Sequence, residues 1–554
     1  MLNRALLYFR TIRRMKPSMV LSRLRGQRRV PKRLLSSVHR IQMPRIAIPE
    51  LDLNEQYLMR FDADGLLVND FLLINERYKV DLSTWSVPEA SHLWNFNLHY
   101  FEWGIVLAAR WRKTKDTRYL DCYKRLVWSW LKACPYMKGD AWHPYTISLR
   151  LVNWFITADL FNGELEKDKE LFSELQISIY RQYRHLLINQ ETHLRANHWW
   201  ENLKTLVIVS AAFDEREVLS KIVNRLEKQL DEQILPDGVH FERSLMYHKL
   251  VLEGMLRLRL ASEQLRFGLP SNFMQKAKIM LDAMASLERG MGKTPFFNDA
   301  ADGVAKKSSK LITACKWLLS MEADDSKTRF PNAGYYKLYD GNIAVMFDAG
   351  EPGPKYMLGH AHCDVLSYEL SINEQPAIVN AGTYAYQSAF RSYFRGTQAH
   401  NTAMVGNEEQ MECWGEHRVA RRVSDIEISY LNSNCIIASY KTYAGCLHRR
   451  GIFLKEGTLR IQDHFNNVDK QFISFIHFAP GFSAHKRTDS FLVTKNNISM
   501  ILQGKNHINS GHYNCSSEFG VISRDAELIQ VSAKNDVLEY SIEIHEEESV
   551  ANND

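Results

Sequence analysis

The segment from Leu358 to Cys413 contains three histidines whose neighbouring residues are of the types found in functional sites. Two of them, His360 and His362, belong to the run GHAHCD at 359–364, and His400 belongs to AHNT at 399–402. On a strand, residues two apart point to one face, so His360 and His362 would lie side by side. One imidazole could transfer protons while the other held a metal ion together with His400. A partly buried, hydrogen-bonded place in a sheet is the ordinary alternative for each histidine taken alone.

Two segments in the first half of the chain also carry polar groups that helix packing does not require. In RANHWWEN at 195–202, His198 and Glu201 are three apart and would share a helical face. Asn197 stands where it could instead cap the helix. In DGVHFERSLMYH at 237–248, a turn leads into a helix with Tyr247 near its first turn, where a lone tyrosine usually serves packing.

A third segment, FFNDAADG at 296–303, holds two carboxylates in a loop. Asp299 and Asp302 could bind a cation or a sugar hydroxyl. Because Asp often precedes a helix, we expect them to cap the next one.

Apolar residues recur at helical spacing from about Trp94 to Met321, which predicts an all-helical region of many antiparallel helices. The predicted helices are 119–131, 147–160, 171–187, 203–213, 218–235, 245–265 and 273–287. The acidic, proline-containing stretch 322–332 is interpreted as a linker.

After Gly334 the apolar period changes to two, which predicts short strands and an antiparallel sandwich. The predicted strands are 335–347, 366–372, 377–379, 425–429, 435–440, 450–454, 458–462, 472–478, 498–503, 528–532 and 538–544. The chain is therefore predicted to be a multidomain α+β protein, with an arm at 1–45, a helical domain at 46–330 and a β-sandwich at 331–554.

The net charge of +6 comes from the arm, whose 45 residues hold 13 Lys and Arg and no Asp or Glu. The remainder has 57 basic against 64 acidic residues and is mildly acidic. Folded domains of this charge lack the electrostatic support that nucleic-acid binding needs, so no nucleic-acid partner is expected. The arm itself fits either an amphipathic helix on an anionic membrane or a helix packed on the body with a solvated basic face.

No stretch of the chain approaches the roughly 18 apolar residues of a spanning helix, and the arm lacks the apolar core of a secretory signal. Eight scattered cysteines show neither a disulfide framework nor a cysteine zinc site. We therefore expect a cytoplasmic location or one peripheral to the inner membrane, with the periplasm as the alternative.

Several motifs, taken in order, resemble the heparinase II/III-like polysaccharide lyases over nearly the whole chain after residue 90. Each motif alone is weak, but their order is specific. They are WNFNLHYF at 94–101, HPY at 143–145 with SLR at 148–150, NHWWEN at 197–202, DG at 237–238 followed by ERS at 242–244 and YH at 247–248, GHAHCD at 359–364 and AHN at 399–401. The resemblance implies an incomplete (α/α) toroid joined to an antiparallel β-sandwich, with the active cleft between them.

The resemblance also implies a reaction, β-elimination in a uronic-acid-containing acidic glycan, and roles for residues. The C5 proton is weakly acidic while the neighbouring carboxylate is charged, so that carboxylate must be neutralised first. The neutralising role falls to Asn197 and His198, proton transfer at C5 and O4 to Tyr247, and the second acid/base role to His360. The residues assigned to substrate binding and orientation are Tyr100, Trp199, Glu201 and Arg243.

The family's sandwich can hold a structural zinc ion with two histidines and an aspartate, and no organic cofactor is implied. His362 and His400 match the histidines, whereas the carboxylate position falls on Asn380, a weaker and uncharged zinc ligand. Asp364 is a possible substitute.

Two other functions are compatible with the same residues. A uronyl C5-epimerase needs the same proton abstraction but returns a proton to the opposite face of C5. A non-catalytic protein of glycan assembly, with its arm on a membrane complex, would keep its function after Tyr247→Phe. The lack of a recognisable export signal favours a role in bacterial surface-polysaccharide metabolism.

Overall fold

Helices form the first part of the molecule and antiparallel sheets the second. The computed structural model describes residues 2–35, 40–466, 470–534 and 537–546. Its α-helices are α1 (Leu2–Ile12), α2 (Pro17–Arg25), α3 (Lys32–Leu35), α4 (Pro49–Asp52), α5 (Glu55–Leu58), α6 (Ala63–Leu67), α7 (His92–Tyr100), α8 (Gly104–Thr114), α9 (Thr117–Ala133), α10 (Pro144–Leu160), α11 (Glu164–Lys167), α12 (Lys169–Ile188), α13 (Ala196–Ala212), α14 (Arg216–Gln233), α15 (Leu245–Leu265), α16 (Phe273–Glu288), α17 (Ser308–Leu319) and α18 (Arg391–Arg395).

The long helices pack in two rows, and their sequences explain which row each one joins. Helix α13 is buried along nearly its whole length, as an inner helix must be. Helix α14 buries only a stripe that includes Leu219, Ile222, Leu226 and Leu230, so its other face meets solvent. Helices α8, α10, α13, α15 and α17 contact one another in succession as the inner row, with α9, α12, α14 and α16 packed against it.

The strands in chain order are β1 (Asp70–Leu73), β2 (Glu76–Lys79), β3 (Arg329–Phe330), β4 (Tyr335–Asp340), β5 (Ile343–Asp348), β6 (Tyr368–Ile372), β7 (Gln375–Ile378), β8 (Ala403–Val405), β9 (Cys413–Trp414), β10 (Arg418–Val419), β11 (Ser424–Leu431), β12 (Cys435–Lys441), β13 (Leu447–Lys455), β14 (Thr458–Phe465), β15 (Phe472–His477), β16 (Ser483–Lys486), β17 (Ser490–Lys495), β18 (Ile498–Gly504), β19 (His507–Cys515), β20 (Ser523–Ala533) and β21 (Val537–Glu546). Within the described residues, β3 to β7 form a five-stranded sheet in sequence order. A four-stranded sheet has the order β19-β20-β15-β8, and an eight-stranded sheet has the order β11-β12-β13-β14-β21-β18-β17-β16. All of their pairings are antiparallel, which agrees with the predicted class of fold.

The three large sheets enclose one apolar core, because strand residues alternate between buried and exposed faces. Val345 of the five-stranded sheet, Ile461 of the eight-stranded sheet and Val531 of the four-stranded sheet belong to the same buried cluster. The first sheet also joins the other half of the molecule. Tyr335 and Met346 are part of the core of the helical region, so the two parts share buried surface.

The sequence prediction differs from the structure in several elements. The run predicted as one strand at 335–347 is two strands, β4 and β5, joined by a tight turn at Asp340 to Ile343. The hairpin of β1 and β2 lies inside the region predicted to be helical. The prediction that His360 and His362 share a strand face is wrong, because both lie in the loop between β5 and β6.

The basic arm packs on the body, one of the two arrangements that the sequence left open. Arg10 forms an ion pair with Glu412 at 3.0 Å, and Lys16 forms one with Glu232 at 2.5 Å. Tyr8 lies edge-on to Trp414 with ring centroids 4.7 Å apart. Residues 1 and 36–39 of the predicted arm lie outside the described residues. The arm therefore contacts both the helical region and the sheets.

The described helices include none with the length and apolarity needed to cross a membrane. All eight cysteines are free thiols in the structure.

Candidate active site

A cavity of about 390 Å³ lies where the helices meet the sheets, and most of the predicted site residues line it. The helical region contributes Tyr100, Asn197, His198, Glu201 and Tyr247, and the sheet region contributes His360, Tyr386 and His417. Side chains far apart in the sequence are thus brought to one space.

Tyr247 and His360 meet at this cavity. Ser244 caps helix α15, and its hydroxyl accepts the backbone N–H of Tyr247, which places the phenol on the first turn. The rings of Tyr247 and His360 have centroids 4.2 Å apart, and the phenol oxygen lies 2.7 Å from the hydroxyl of Tyr386. Burial raises the pKa of Tyr247 well above its usual value, and Tyr386 acts in the same direction. The phenol is therefore a proton donor at neutral pH.

A buried carboxylate, Asp299, orients the histidines of the sheet region. Its two oxygens lie 2.8 Å from Nδ1 of His360 and 2.8 Å from Nε2 of His362, and both terminal nitrogens of Arg391 donate to it. Burial alone would raise the pKa of Asp299, but Arg391 and the histidines hold it well below its usual value. With Nδ1–H of His360 donated to this carboxylate, Nε2 is left as a proton acceptor.

The expectation that the carboxylates of this loop cap the next helix is wrong. Helix α17 begins after Lys307 and has no side-chain cap. Asp299 is instead hydrogen-bonded to the two histidines and paired with the buried Arg391, whose charge it balances.

On the helical side, His198 is held by a carboxylate that the sequence analysis did not single out. Its Nδ1 lies 2.9 Å from Oε1 of Glu191, and the other oxygen of Glu191 accepts a hydrogen bond from Asn202 at 3.0 Å. Burial alone would lower the pKa of His198, but the charge and hydrogen bond of Glu191, together with the charges of Glu242 and Glu201, outweigh burial and the pKa is raised. His198 is thereby favoured as an imidazolium.

Asn197 faces the cavity rather than capping the helix. Its Nδ2 donates to the hydroxyl of Tyr145 at 3.0 Å, whereas its buried Oδ1 has no hydrogen-bond partner among the described residues. Arg195 occupies the N-cap position of α13 with a positive φ of 56°. The ring of Tyr145 lies against that of His198 with centroids 4.2 Å apart.

The four residues predicted to bind or orient substrate fall into two groups. Tyr100 and Glu201 line the cavity, and Glu201 forms an ion pair with Lys204 at 2.5 Å. Trp199 and Arg243 are not among its lining residues. Trp199 donates to Gln190 at 3.1 Å. Arg243 donates to the backbone carbonyls of Glu351 and of Asn332, the latter at 3.0 Å. Arg243 therefore fastens the loop before α15 to the sheet region instead of facing the cavity.

The two histidines of the predicted metal site are adjacent and oriented as ligands. Nδ1 of His362 lies 3.1 Å from Nε2 of His400, while the opposite nitrogens bond Asp299 and the carbonyl of Gly396, each at 2.8 Å. If each opposite nitrogen carries the proton, two lone pairs face one another, which is the arrangement that a cation stabilises.

The side chain that can serve as third ligand beside these histidines is the carboxylate of Asp364 rather than the amide of Asn380. The amide oxygen of Asn380 accepts the backbone N–H of Asn401 at 3.0 Å and is thereby occupied. One oxygen of Asp364 is buried and has no hydrogen-bond partner within the described residues. A carboxylate oxygen of Asp364 lies within 4.8 Å of a ring nitrogen of His362 and of His400. Two imidazoles and one carboxylate suit Zn²⁺, so His362, His400 and Asp364 fit the ion.

Sequence reasoning left Glu191, Arg391 and Tyr386 without a role in the site, and it considered Asp299 only as a helix cap or as a ligand for a cation or a sugar hydroxyl. Asp299 and His360 are 61 positions apart, so only the tertiary fold brings them together. Glu191 is seven positions before His198, a spacing that no motif in the sequence indicated. Tyr145 did carry a signal, since it belongs to the motif HPY at 143–145.

Comparison with known proteins gives matches along almost the entire chain. A family model described as Heparinase II/III N-terminus matches residues 35–328, and one described as Heparinase II/III-like, C-terminal matches residues 323–547. A heparin-sulfate lyase of Pedobacter heparinus is 21% identical over 370 residues, covering 60% of this chain and 54% of the relative. A heparin-sulfate lyase of Bacteroides thetaiotaomicron is 21% identical over 421 residues, covering 67% of this chain and 58% of the relative. The matches thus span little more than half the length of these curated relatives.

Among solved structures, a crystal structure of heparinase III is similar with a TM-score of 0.73 and 16% identity, covering 93% of this chain and 88% of that one. That likeness concerns the fold, a helical part followed by antiparallel sheets. Because the two family models together extend from residue 35 to residue 547, and the first alone covers more than half of the sequence, the chain belongs to the heparinase II/III family.

Proposed function

We propose that the protein is a polysaccharide lyase that cleaves a uronic-acid-containing acidic glycan by β-elimination. The observation that carries this proposal is the contact of Tyr247 with His360 in a cavity that Asn197 and His198 also line. Proton-transfer groups and groups that can neutralise a carboxylate are thus within reach of one sugar ring. The names of the curated relatives support an acidic glycan as the substrate.

The first step in this proposal is neutralisation of the uronate carboxylate. The imidazolium of His198, maintained by Glu191, and the amide of Asn197 hydrogen-bond the carboxylate. Their bonds strengthen as negative charge spreads from C5 into the carboxylate, which lowers the barrier to removal of the C5 proton.

The proton transfers then divide between the two halves of the molecule. Nε2 of His360 takes the proton from C5, and the C5–H electrons form the C4–C5 double bond as the C4–O4 bond breaks. Tyr247, whose raised pKa keeps it protonated, donates its proton to the departing O4. Asp299 stabilises the imidazolium that forms on His360.

A zinc ion at His362, His400 and Asp364 would serve structure in this scheme. It would neutralise the buried carboxylate of Asp364 and fix the loop that also carries His360. The proton transfers are assigned to side chains alone.

Purified protein incubated with a panel of uronate polymers tests the proposal. A lyase produces the ultraviolet absorbance of an unsaturated uronate together with shorter chains, and we expect both for at least one polymer. Exchange of C5 hydrogen for deuterium without that absorbance would identify an epimerase instead. Binding without either change would identify a glycan-binding protein. His360→Ala is the matched inactive variant, and the exposed His485→Ala is its control.

A further inference from the structure

A second cavity, of about 700 Å³, lies beside the catalytic one and has no role in the proposed reaction. The two cavities share Tyr57 and Arg60 in their walls. The loop at 303–307 contributes to both, since Val304 lines the catalytic cavity while Gly303 and Ala305 line the second. The second cavity therefore adjoins the catalytic cavity.

A buried lysine that forms no close ion pair with a described residue lines this second cavity. Lys306 is only 5% exposed, and within the described part of the chain its ammonium forms neither a hydrogen bond nor an ion pair. Its Nζ lies over the ring of Tyr57, 3.1 Å from the centroid. Burial lowers the pKa of Lys306. The ring face and the charges of Glu253, Asp52 and Glu102 offset the cost of burying the ammonium only in part, so an added anion would favour the charged form.

The N-terminus of helix α17 opens into the same space. The sequence KKSSK at 306–310 leads into this helix of 12 residues, which has Lys307 at its N-cap and no side-chain cap. Backbone N–H groups at the start of a helix attract anions. The hydroxyl of Ser308, at the first helical position, is buried and has no hydrogen-bond partner in the described residues.

The charges around the cavity also favour an anion. Six basic side chains line it, among them Lys307 and Lys310, against four acidic ones. One of the acidic groups, Glu288, is paired with Lys249 at 3.1 Å. Arg60 and Lys293 are paired with carboxylates outside the cavity wall. The lining bases without a close ion pair in the described part of the chain are therefore Lys306, Lys307 and Lys310, at the start of the helix.

We propose that this cavity binds an oxyanion group, a sulfate, phosphate or carboxylate, between Lys306, Lys310 and the first turn of α17. Such a group could belong to an acidic glycan whose reacting part occupies the catalytic cavity, which rests on the proposed function. It could equally be a free inorganic anion, which does not. The shared chemistry is a tetrahedral or planar oxyanion held by ammonium groups and backbone N–H donors.

Calorimetric titration of the full-length protein with sodium sulfate, and separately with sodium phosphate, at constant ionic strength tests the site. We expect a saturable isotherm with one site for at least one of these anions. Lys306→Met should weaken binding at least tenfold, and Lys310→Gln, at an exposed position, should weaken it several-fold without affecting folding. Lys316→Met is the matched control, because this lysine lies at the other end of α17 and pairs with Glu322.

Heats of dilution alone for both anions, or equal affinities in the wild type, Lys306→Met and Lys310→Gln, would overturn the proposal. Competition distinguishes the two sources of the anion. If sulfate weakens binding of a uronate oligosaccharide to the wild type but not to Lys306→Met, the site takes a substituent of the glycan. If sulfate binds without affecting the oligosaccharide, the site takes a free anion. Because anion binding is measured without turnover, a failure of the lyase assay leaves this result standing.

Discussion

The phenol ring of Tyr247, on the first turn of α15, lies against the imidazole of His360, from a loop of the sheet region, with centroids 4.2 Å apart. One side chain comes from each half of the molecule. The site is therefore complete only when both halves are folded together.

Tyr247→Phe removes the proton donor and keeps the ring contact. We expect the fold to persist and kcat/KM for the uronate polymer to fall by about 10²–10⁴, the usual contribution of a general acid. The measurement is the rate of unsaturated-uronate absorbance. The hydroxyl of Tyr183 bonds Ser210 and Glu215 away from the cavity, so Tyr183→Phe should keep the wild-type rate. A variant at 247 as active as the wild type would support a non-catalytic role for the tyrosine.

Glu191→Gln tests the charge on His198. Glu191 is the largest of the groups that raise the pKa of His198, so loss of its charge lowers that pKa and leaves only Glu242 and Glu201 to oppose burial. Activity that depends on the imidazolium is present below this pKa and lost as pH rises through it. The alkaline limb of the pH–rate profile should therefore move to lower pH in Glu191→Gln, while the exposed Glu456→Gln leaves it in place. If the alkaline limb does not move, Glu191 does not control a protonation state on which the activity depends.

The same pair affects stability with a defined sign. Because the folded-state pKa of His198 is raised, the interaction stabilises the fold below the unfolded pKa, and its contribution is lost as pH rises through the folded value. Urea unfolding of the wild type and Glu191→Gln should differ more at mildly acidic than at alkaline pH. A difference that is the same at both would contradict this.

Asp299→Asn should destabilise the protein and inactivate it. The buried Arg391 would lose its counter-charge, which costs about 3–5 kcal/mol when one partner of a buried pair is removed. The pKa of Asp299 is depressed, so its contribution is present above the unfolded pKa and is lost as pH falls through the folded value. Denaturant unfolding checks the first effect, with the exposed Asp489→Asn as control. Wild-type stability in Asp299→Asn would contradict the ion-pair assignment.

Zinc added to chelator-treated protein should bind once per chain and raise the melting temperature. A ligand at 100 times its Kd stabilises the native state by about 2.7 kcal/mol. Asp364→Asn should abolish the rise, because a neutral amide, a weaker zinc ligand, replaces the negative carboxylate. Asn380→Ala removes an acceptor of Asn401, and we expect it to lower stability without changing zinc stoichiometry. If zinc binding is lost in Asn380→Ala but kept in Asp364→Asn, the third zinc ligand is residue 380 and not Asp364.

Local periodicity predicted much of the fold. The helix predicted at 245–265 has those bounds in the structure, because apolar spacing and the Ser244 cap agree on where it begins. Strand β19 (His507–Cys515) was not predicted, since HINSGHYNC is mostly polar and its middle residues are exposed. Periodicity indicates an element only where one of its faces is buried.

The site was predictable in its residue types and not in its partnerships. Short motifs indicated Asn197, His198, Tyr247 and His360, and all of them line one cavity. Asp299 could not be assigned to His360, because only the tertiary fold brings these two residues together. Glu191 lies in the loop just before α13, seven positions from His198, where no helical spacing indicated it. Arg243 looked like a site residue in the sequence, yet its bonds go to the backbone of the sheet region.

The core shared between the helices and the first sheet limits how the helical and sheet regions can be separated or exchanged. Tyr335 and Met346 are packed among helical side chains, so cutting the chain near residue 328 would expose apolar surface on both fragments. Neither fragment is expected to behave as an interchangeable module. If a sheet region from a relative were grafted onto the helices, the residues of this shared core would have to be repacked before any change of specificity could be measured.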